Sequence, residues 1–343
     1  MVRVLVSFQQ TPGPDEAALI ESLGGVVRHM YEIVPAIAAK MPPDNLDELA
    51  ADPRVTSVEL DSGAWALSEV TPWGVVRIGA ALVHPQNKGA GVKVAILDTG
   101  IDLDHEDLTV AGDVTFVDDT TSGDDDNGHG TMIAGVVAGL INGIGVVGVA
   151  PEVELYAVKV MGQSGWLWWS DAIKGIDWAW KNDIQVVNMS FGGPNEPPRT
   201  VHNAIKRASR KGVILVAGAG NLGDEGYPDL VFYPAKYDEV ISVGATDETD
   251  TRVITSSWGL SLELVAPGAN IYTTTIGGYG TGGGTSLSTP HVVGAAALVI
   301  ASGITDPAQV RQRLQETAYD LGLPGRDDEY GYGLVDAYAA ATP

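Results

Sequence analysis

Three short stretches of the sequence each place one potentially reactive side chain beside glycine. VAILDTGID contains Asp98 at the end of an apolar run, DNGHGTMIAGVVAG contains His129 before a helix-like segment, and GGGTSLSTP contains Ser286 at the start of another. A serine, a histidine and an aspartate that meet in space form a nucleophile, a general base and a group that orients the base. Each residue alone has an ordinary structural interpretation, as a helix cap or a hydrogen-bonded core residue. Their joint occurrence favours nucleophilic catalysis.

A fourth stretch, VILVAGAGNLG at 213–223, contains the G-x-G-x-x-G spacing of a dinucleotide-binding turn. Such a turn needs a helix directly after the glycines, because the helix N-terminus holds the pyrophosphate. The next segment, 224–239, contains two prolines and no 3.6-residue periodicity. The sequence therefore predicts no dinucleotide cofactor, and the glycines need another explanation.

The segments that must position these residues follow Ser68, where apolar strand-like runs alternate with helix-like segments. Strand-like runs without strict apolar-polar alternation, separated by helices, predict a parallel sheet with helices on both faces. In such a sheet, sites form at the carboxyl ends of the strands, where Asp98 lies. The strand-like runs are 92–97, 155–160, 186–190, 213–218 and 240–245, and the helix-like segments are 131–141, 170–182 and 200–212.

Two local features complete this α/β unit. Pro290 lies early in the helix that Ser286 opens, and we expect it to be tolerated because first-turn N–H groups have no helical partner. GGYGTGGG at 277–284 is of low complexity and is interpreted as a short linker.

The pattern of strand-like and helix-like segments in residues 1–67 predicts a small α+β domain, which precedes the larger domain at 68–343. Two helix-like segments separate its strand-like runs; one is closed by glycines, and the other starts with a cap and ends at proline. No flexible linker is visible between the two domains. The strand-like segments are 3–8, 26–41 and 55–61, and the helix-like segments are 15–25 and 43–53.

Composition excludes several classes of function. The formal net charge of −24 argues against nucleic acid as a partner, because phosphates require Lys and Arg. The chain has no cysteine, so disulfides and thiolate chemistry are excluded. No apolar run approaches about 18 residues, so no membrane span is expected. The start, MVRVLVSFQQTPG, lacks the features of a signal peptide; the protein either works inside the cell or has lost a secretion signal, and we slightly favour an extracellular location.

The three reactive stretches occur in the order Asp, His, Ser, and with this order the chain resembles the subtilisin family of serine proteases. The resemblance extends over nearly all 343 residues. The resemblance implies an endopeptidase with an acyl-enzyme on Ser286, His129 as general base and acid, and Asp98 as the group that orients the imidazole. It also implies that Asn221, after the glycines of the fourth stretch, donates to the oxyanion, with the Ser286 backbone N–H as the second donor.

Two other classes of function remain as rivals to this interpretation. One is a binding or regulatory module that keeps the fold and has lost catalysis, which the intact set of reactive residues argues against. The other is an esterase of the α/β-hydrolase type, which requires G-x-S-x-G around its serine. The segment 284–288 reads GTSLS and lacks the final glycine.

Substrate contacts are also implied by the resemblance. NMSFGGP at 188–194 matches the strand that pairs with an extended substrate, so that main-chain hydrogen bonds supply affinity and pockets supply preference. The base of the first pocket is expected at Phe232, where many relatives have a small residue. The extended substrate is expected to be lined on one side by Ser190, Phe191 and Gly192 and on the other by Gly165, Trp166 and Leu167. The pocket for the fourth residue before the cut is expected to be formed by Trp169, Ala172 and Phe191.

The resemblance also implies a structural calcium ion (Ca²⁺) as cofactor. Oxygen ligands suit such a hard cation. The acidic run 124–126 leaves three interpretations open: it could hold a second ion, attract basic side chains, or form a solvated acidic loop, and the loop is favoured. The implied ligands are the side chains of Glu69, Asp107 and Asn142 and the carbonyl oxygens of Leu140, Ile144 and Val146.

The resemblance further implies that residues 1–67 are a propeptide, so that the chain is a zymogen. SEVTPWG resembles the start of a mature protease, which places self-cleavage between Leu67 and Ser68. The tail Ala64–Leu67 is expected to lie in the substrate groove as a product and to inhibit the enzyme. Expected partners are protein or peptide substrates and this propeptide, and the enzyme is expected to be a monomer.

Overall fold

The computed structural model describes residues 1–62, 68–223 and 229–342. The chain divides into two compact units, Met1–Ala66 and Leu67–Pro343. No helix within the described ranges is long and apolar enough to cross a lipid bilayer.

The unit Met1–Ala66 contains a four-stranded antiparallel sheet and two short helices. Its elements are β1 (Val2–Phe8), α1 (Pro14–Ser22), β2 (Val26–Met30), β3 (Ala36–Met41), a 3₁₀ turn (Pro43–Asn45), α2 (Leu46–Ala50) and β4 (Val55–Leu60). The strand order is β2-β3-β1-β4. Val4, Val6 and Phe8 alternate along β1, share one face, and pack with Ile20 of α1 in a buried core. The predicted tail and cleavage site at 64–67 lie outside the described residues, so the domain boundary there stays a prediction.

The unit Leu67–Pro343 is built on a seven-stranded sheet in which neighbouring strands are parallel. The strands of this unit are β5 (Lys93–Asp98), β6 (Val110–Thr115), β7 (Glu154–Lys159), β8 (Val186–Met189), β9 (Ile214–Gly218), β10 (Val240–Thr246), β11 (Leu264–Pro267), β12 (Ile271–Thr275) and β13 (Gly278–Gly282). The order in the large sheet is β11-β10-β9-β8-β5-β7-β6. The parallel sheet predicted from the apolar runs is confirmed.

Helices cover both faces of this sheet. Ile96 of β5 packs in the cluster that contains the buried residues of α5 and α8, whereas its neighbour Leu97 packs in the cluster of α6 and α7. Because consecutive residues are buried on opposite faces, the strands show no apolar-polar alternation. The helices are α3 (Trp73–Arg77), α4 (Ala80–Val83), α5 (His129–Ala138), α6 (Trp169–Lys181), α7 (Arg199–Arg210), α8 (Thr285–Ala301), α9 (Pro307–Thr317) and α10 (Ala337–Ala341).

Two local predictions fail. The segment predicted as a linker at 277–284 contributes strand β13, which pairs with β12 in a two-stranded antiparallel sheet, because glycine-rich composition conceals the strand pairing. The helix predicted at 131–141 ends at Ala138, because the backbone becomes extended at Gly139. A side chain at Gly139 would begin 2.4 Å from the Val146 carbonyl oxygen, so a larger residue does not fit this turn.

Candidate active site

The end of β5 and the start of α5 bring Asp98 and His129 together. His129 Nδ1 lies 2.7 Å from Asp98 Oδ1, and the Thr99 N–H donates to the same oxygen at 2.8 Å. The Asp98 side chain is fully buried. The negative charge of Asp98 raises the pKa of His129, although burial opposes the rise. This arrangement fixes the imidazole with its Nδ1 toward the carboxylate and leaves Nε2 for proton transfer.

The start of α8 carries Ser286, which is bonded reciprocally to the end of β8. The Ser286 hydroxyl donates to the Ser190 carbonyl oxygen at 3.3 Å, and the Ser190 hydroxyl donates to the Ser286 carbonyl oxygen at 2.9 Å. Among the described residues no hydrogen bond joins Ser286 to His129 in this arrangement. Catalytic hydrogen bonds of this kind often tighten only when substrate is bound.

The expectation for Pro290 is wrong, and the Ser190 bond supplies the reason that the helix tolerates this proline. Pro290 is the sixth residue of α8 and therefore lies beyond its first turn. In a regular helix its N–H would donate to the Ser286 carbonyl, but proline has no N–H. The Ser190 hydroxyl donates to that carbonyl instead.

Thr285 orients the Asn221 amide, whose nitrogen has no hydrogen-bond partner among the described residues. Its Oδ1 lies 3.0 Å from the Thr285 nitrogen and 3.2 Å from the Thr285 hydroxyl. A backbone N–H can only donate, so the amide atom that faces it must be the oxygen. Asn221 and Ser286 line a cavity of about 160 Å³, whose other lining residues are Ser190, Phe191, Gly192, Gly218, Gly220, Phe232 and Thr285.

This cavity explains the glycines that follow β9. Gly220 has φ of 106°, and a Cβ there would lie 2.6 Å from the ring of Phe232. The described residues 219–223 and 229–239 contain no helix, so the dinucleotide motif lacks the element that it needs.

The other predicted substrate residues lie on the loop before α6 and on α6 itself. Trp169 meets Phe191 edge-on, with ring centroids 6.3 Å apart. Ala172 is fully buried, whereas Trp166 is 65% exposed. Gly165 turns with φ of 71°, and Leu167 pairs with Met161 in an isolated β-bridge. The structure therefore brings Phe232 to the same cavity as Ser190, Phe191 and Gly192, and it brings Trp169 into contact with Phe191.

The residues predicted to bind calcium meet around a buried carboxylate. Asp107 is fully buried; its Oδ2 accepts the Val146 N–H at 2.7 Å and its Oδ1 accepts an N–H of the Asn142 side chain at 3.1 Å. Glu69 Oε1 accepts the N–H groups of Asn142 and Gly143 at 2.7 and 2.8 Å. Burial raises the pKa of Asp107, and the charge of Glu69 adds to the rise. A cation here would offset both effects.

Backbone carbonyl oxygens complete this set of candidate calcium ligands. Among the described residues no hydrogen-bond donor reaches the carbonyl oxygens of Leu140, Ile144 and Val146. Carboxylates and carbonyl oxygens are the ligands that Ca²⁺ prefers, so the residues present fit this ion. The Asn142 amide directs its nitrogen to Asp107 at 3.1 Å and its oxygen to the Ile144 N–H at 3.0 Å.

Sequence reasoning missed three residues that support the catalytic residues. Thr99 accepts the Gly130 N–H at 2.9 Å, Thr285 orients Asn221, and Lys159 is 1% exposed beside Asp126. One signal was available for Lys159, because a lysine within an apolar strand-like run needs a buried partner. The two threonines give no comparable signal.

Comparisons with known proteins agree with this geometry. A family model described as the Subtilase family matches residues 89–333. Subtilisin E of Bacillus subtilis (strain 168) is 42% identical over 347 residues, covering 99% of this chain and 90% of the relative. An alkaline protease of Alkalihalobacillus alcalophilus is 40% identical over 338 residues, covering 97% and 87%. Subtilisin DY of Bacillus licheniformis is 45% identical over 277 residues, covering 80% and 100%. The chain therefore belongs to the subtilase family of serine endopeptidases.

Proposed function

We propose that this chain hydrolyses peptide bonds through an acyl-enzyme on Ser286. The observation that carries the proposal is the 2.7 Å contact between His129 and the buried Asp98, combined with a cavity that Ser286 and Asn221 line. His129 takes the proton of the attacking hydroxyl and later gives it to the leaving amine, while Asp98 stabilises the imidazolium. The side-chain N–H of Asn221 and the backbone N–H of Ser286 then hold the oxyanion.

The substrate is a protein or peptide in extended conformation. The substrate pairs with the backbone of residues 190–192. The side chain of the substrate residue before the cleaved bond enters the cavity that Phe232 lines. Gly165, Trp166 and Leu167 bind the opposite side of the substrate, and Trp169, Ala172 and Phe191 form a second pocket. Support comes from the lining of the cavity and from the edge-on contact of Trp169 with Phe191. Main-chain pairing of this kind gives affinity with little dependence on substrate sequence.

The chain is, in this proposal, a zymogen of a monomeric extracellular enzyme, with residues 1–67 as its propeptide. Met1–Ala66 has its own hydrophobic core, as a separately folding inhibitor requires. The full length of Subtilisin DY aligns with only 80% of this chain, which is about the share that 68–343 represents.

The wild-type chain is expected to cut itself at or within one residue of the Leu67–Ser68 bond. The released 1–67 fragment, when added back, should inhibit the processed enzyme, because its end occupies the substrate groove as a product. N-terminal sequencing and peptide-hydrolysis assays measure the two effects, with Ser286→Ala as the control that stays at full length. A fully active wild-type enzyme that still begins at Met1 would refute the zymogen.

We further propose that Glu69, Asp107, Asn142 and the three neighbouring carbonyls of Leu140, Ile144 and Val146 hold one structural calcium ion. When bound, the ion would neutralise the two carboxylates and link the segment at Glu69 to the loop 140–146. The support is the buried Asp107 carboxylate and the carbonyl oxygens that lack protein donors in the described ranges.

Chelation is expected to lower the melting temperature of the processed enzyme by several degrees. An ion that binds only the folded state, at 100 times its Kd, contributes about 2.7 kcal/mol. Asp107→Asn should remove the difference between calcium and chelator, whereas Asp104→Asn, an exposed carboxylate on the same loop, should keep it. Thermal unfolding with and without calcium measures both variants. Equal melting temperatures of the wild type in the two buffers would exclude the site.

A further inference from the structure

Asp125, the middle residue of the acidic run, is 7% exposed, and its carboxylate accepts five hydrogen bonds. This burial differs from the solvated loop that the sequence favours. Within the described ranges no group of three or more His, Cys, Asp or Glu side chains is arranged to hold a metal ion. The donors to Oδ1 are the Thr99 hydroxyl (2.8 Å) and the N–H groups of Asn127 (3.0 Å) and Gly128 (2.9 Å); those to Oδ2 are the N–H (2.9 Å) and hydroxyl (2.6 Å) of Thr131.

These hydrogen bonds keep the Asp125 carboxylate ionised inside the protein. Burial alone would raise its pKa, but the bonds from Gly128, Thr131 and Asn127 together outweigh burial and hold the pKa below its usual value. Charge-assisted bonds are stronger than neutral ones, so five of them fix the carboxylate firmly.

The donors come from both chain segments that carry the catalytic pair. Thr99, which donates to Asp125 Oδ1, directly follows Asp98, and Thr131, which donates to Asp125 Oδ2, lies two residues after His129 in the first turn of α5. The Thr99 hydroxyl donates to Asp125 and accepts the Gly130 N–H at 2.9 Å. Asp125 is therefore bonded to the end of β5 and to the first turn of α5 at once.

Asp126, the residue after Asp125, is connected to Thr99 through Lys159. Lys159 is 1% exposed and lies in register with Asp98 on the neighbouring strand. Its Nζ donates to Asp126 Oδ1 at 2.6 Å and also to the Thr99 carbonyl oxygen. A buried lysine persists only when it is paired and hydrogen-bonded, as here. Asp125 and the Lys159–Asp126 pair thus hold Thr99 from its hydroxyl and its carbonyl.

We propose that Asp125 is a positioning residue, which holds the first turn of α5 against the end of β5 so that Asp98 can orient His129. The inference rests on the proposed roles of Asp98 and His129. It assigns the three acidic neighbours different tasks: Asp125 positions, Asp126 pairs with Lys159, and the exposed Asp124 takes no part.

The charges around His129 make this role measurable in a pH profile. Asp98 and Asp125 both raise the pKa of His129, and burial lowers it. The elements α8 and β12, which also pack against α5, contain no Asp, Glu, Lys or Arg. Burial lowers the pKa of His291 in α8 to about 4, so this residue is uncharged at neutral pH.

The test compares Asp125→Asn with Asp124→Asn, which removes the same charge one residue away from an exposed side chain. For Asp125→Asn we expect kcat to fall about 10- to 100-fold with KM unchanged, because a small displacement of a catalytic group costs this much. The acidic limb of its kcat/KM profile should move to lower pH, since loss of the negative charge makes the imidazolium less stable. Asp124→Asn should match the wild type in both readouts.

A second pair of variants keeps the proposal testable if Asp125→Asn fails to fold. Thr99→Val removes the hydroxyl that links Asp125 to Gly130, and we expect kcat to fall about tenfold. Thr99→Ser keeps the hydroxyl and should restore wild-type kcat. The proposal is overturned if Thr99→Val is as active as Thr99→Ser, or if Asp125→Asn has the wild-type pH profile. Failure of the proposed function would instead appear as a wild-type enzyme without peptidase activity.

Discussion

Ser286→Ala is expected to abolish peptide hydrolysis, with a loss in kcat of about 10⁶, the magnitude known for the same group in subtilisin itself. Only the attacking oxygen is removed. The backbone carbonyl of residue 286 still accepts the Ser190 hydroxyl, so α8 keeps its attachment to β8. Peptide kinetics, labelling with a serine-directed covalent probe and circular dichroism together measure activity, nucleophile and fold.

Two comparisons make this result specific. Ser288→Ala removes a hydroxyl that is fully buried and has no partner within the described residues, so this variant should remain active. His129→Ala should be as inactive as Ser286→Ala, and the double variant little worse than either, because the two groups act as one unit. Substantial turnover by purified Ser286→Ala would show that another residue attacks the substrate. Additive losses in the double variant would show that Ser286 and His129 do not act as one unit.

Asn221→Leu is expected to lower kcat by about 10²–10³ while KM changes little; this is the magnitude known for removing the corresponding donor in subtilisin itself. Negative charge develops on the substrate oxygen only in the transition state, so the lost hydrogen bond is felt in kcat. Leucine resembles asparagine in size but cannot donate. Steady-state kinetics on a peptide substrate measures the two constants separately.

The control for this variant is Asn203→Leu, which makes the same change at an exposed position of α7 and should leave kcat unaltered. If Asn221→Leu raised KM and left kcat intact, Asn221 would bind the ground state, and its assignment to the oxyanion would be wrong.

Apolar patterning was sufficient to predict the sheet but not its edges. The five strands predicted from apolar runs were confirmed because each is buried on both faces. Strand β6 was missed because it lies at an edge of the sheet, is only partly buried, and has the mixed sequence VAGDVT. Strand β13 was missed because its glycines contribute no side chains to a pattern. In both cases strand pairing, rather than local composition, determines the structure.

The residues of the candidate active site were also only partly predictable from the sequence. Asp98, His129, Ser286 and Asn221 could be selected because reactive residue types stand beside glycine at element ends. The run 124–126 could not be interpreted, because its three identical residues differ only in which distant donors reach them. Asp125 accepts a hydrogen bond from the Thr99 hydroxyl, and Asp126 accepts one from Lys159. Thr99 follows β5 and Lys159 is the last residue of β7, so both donors are distant in sequence from the acidic run. The sequence contains the groups, but only the fold determines which of them meet.

Pro290 also has a consequence for the order in which the chain folds. A helix usually satisfies its own carbonyl groups as it grows, but the Ser286 carbonyl gains its partner only when Ser190 is in place after β8. β8 lies in the middle of a parallel sheet whose strands pair over long sequence separations, and such pairings form slowly. The turn that carries Ser286 is therefore completed after the central sheet. A nascent chain can therefore complete the hydrogen bonding around its nucleophile only once β8 has taken its place in the sheet.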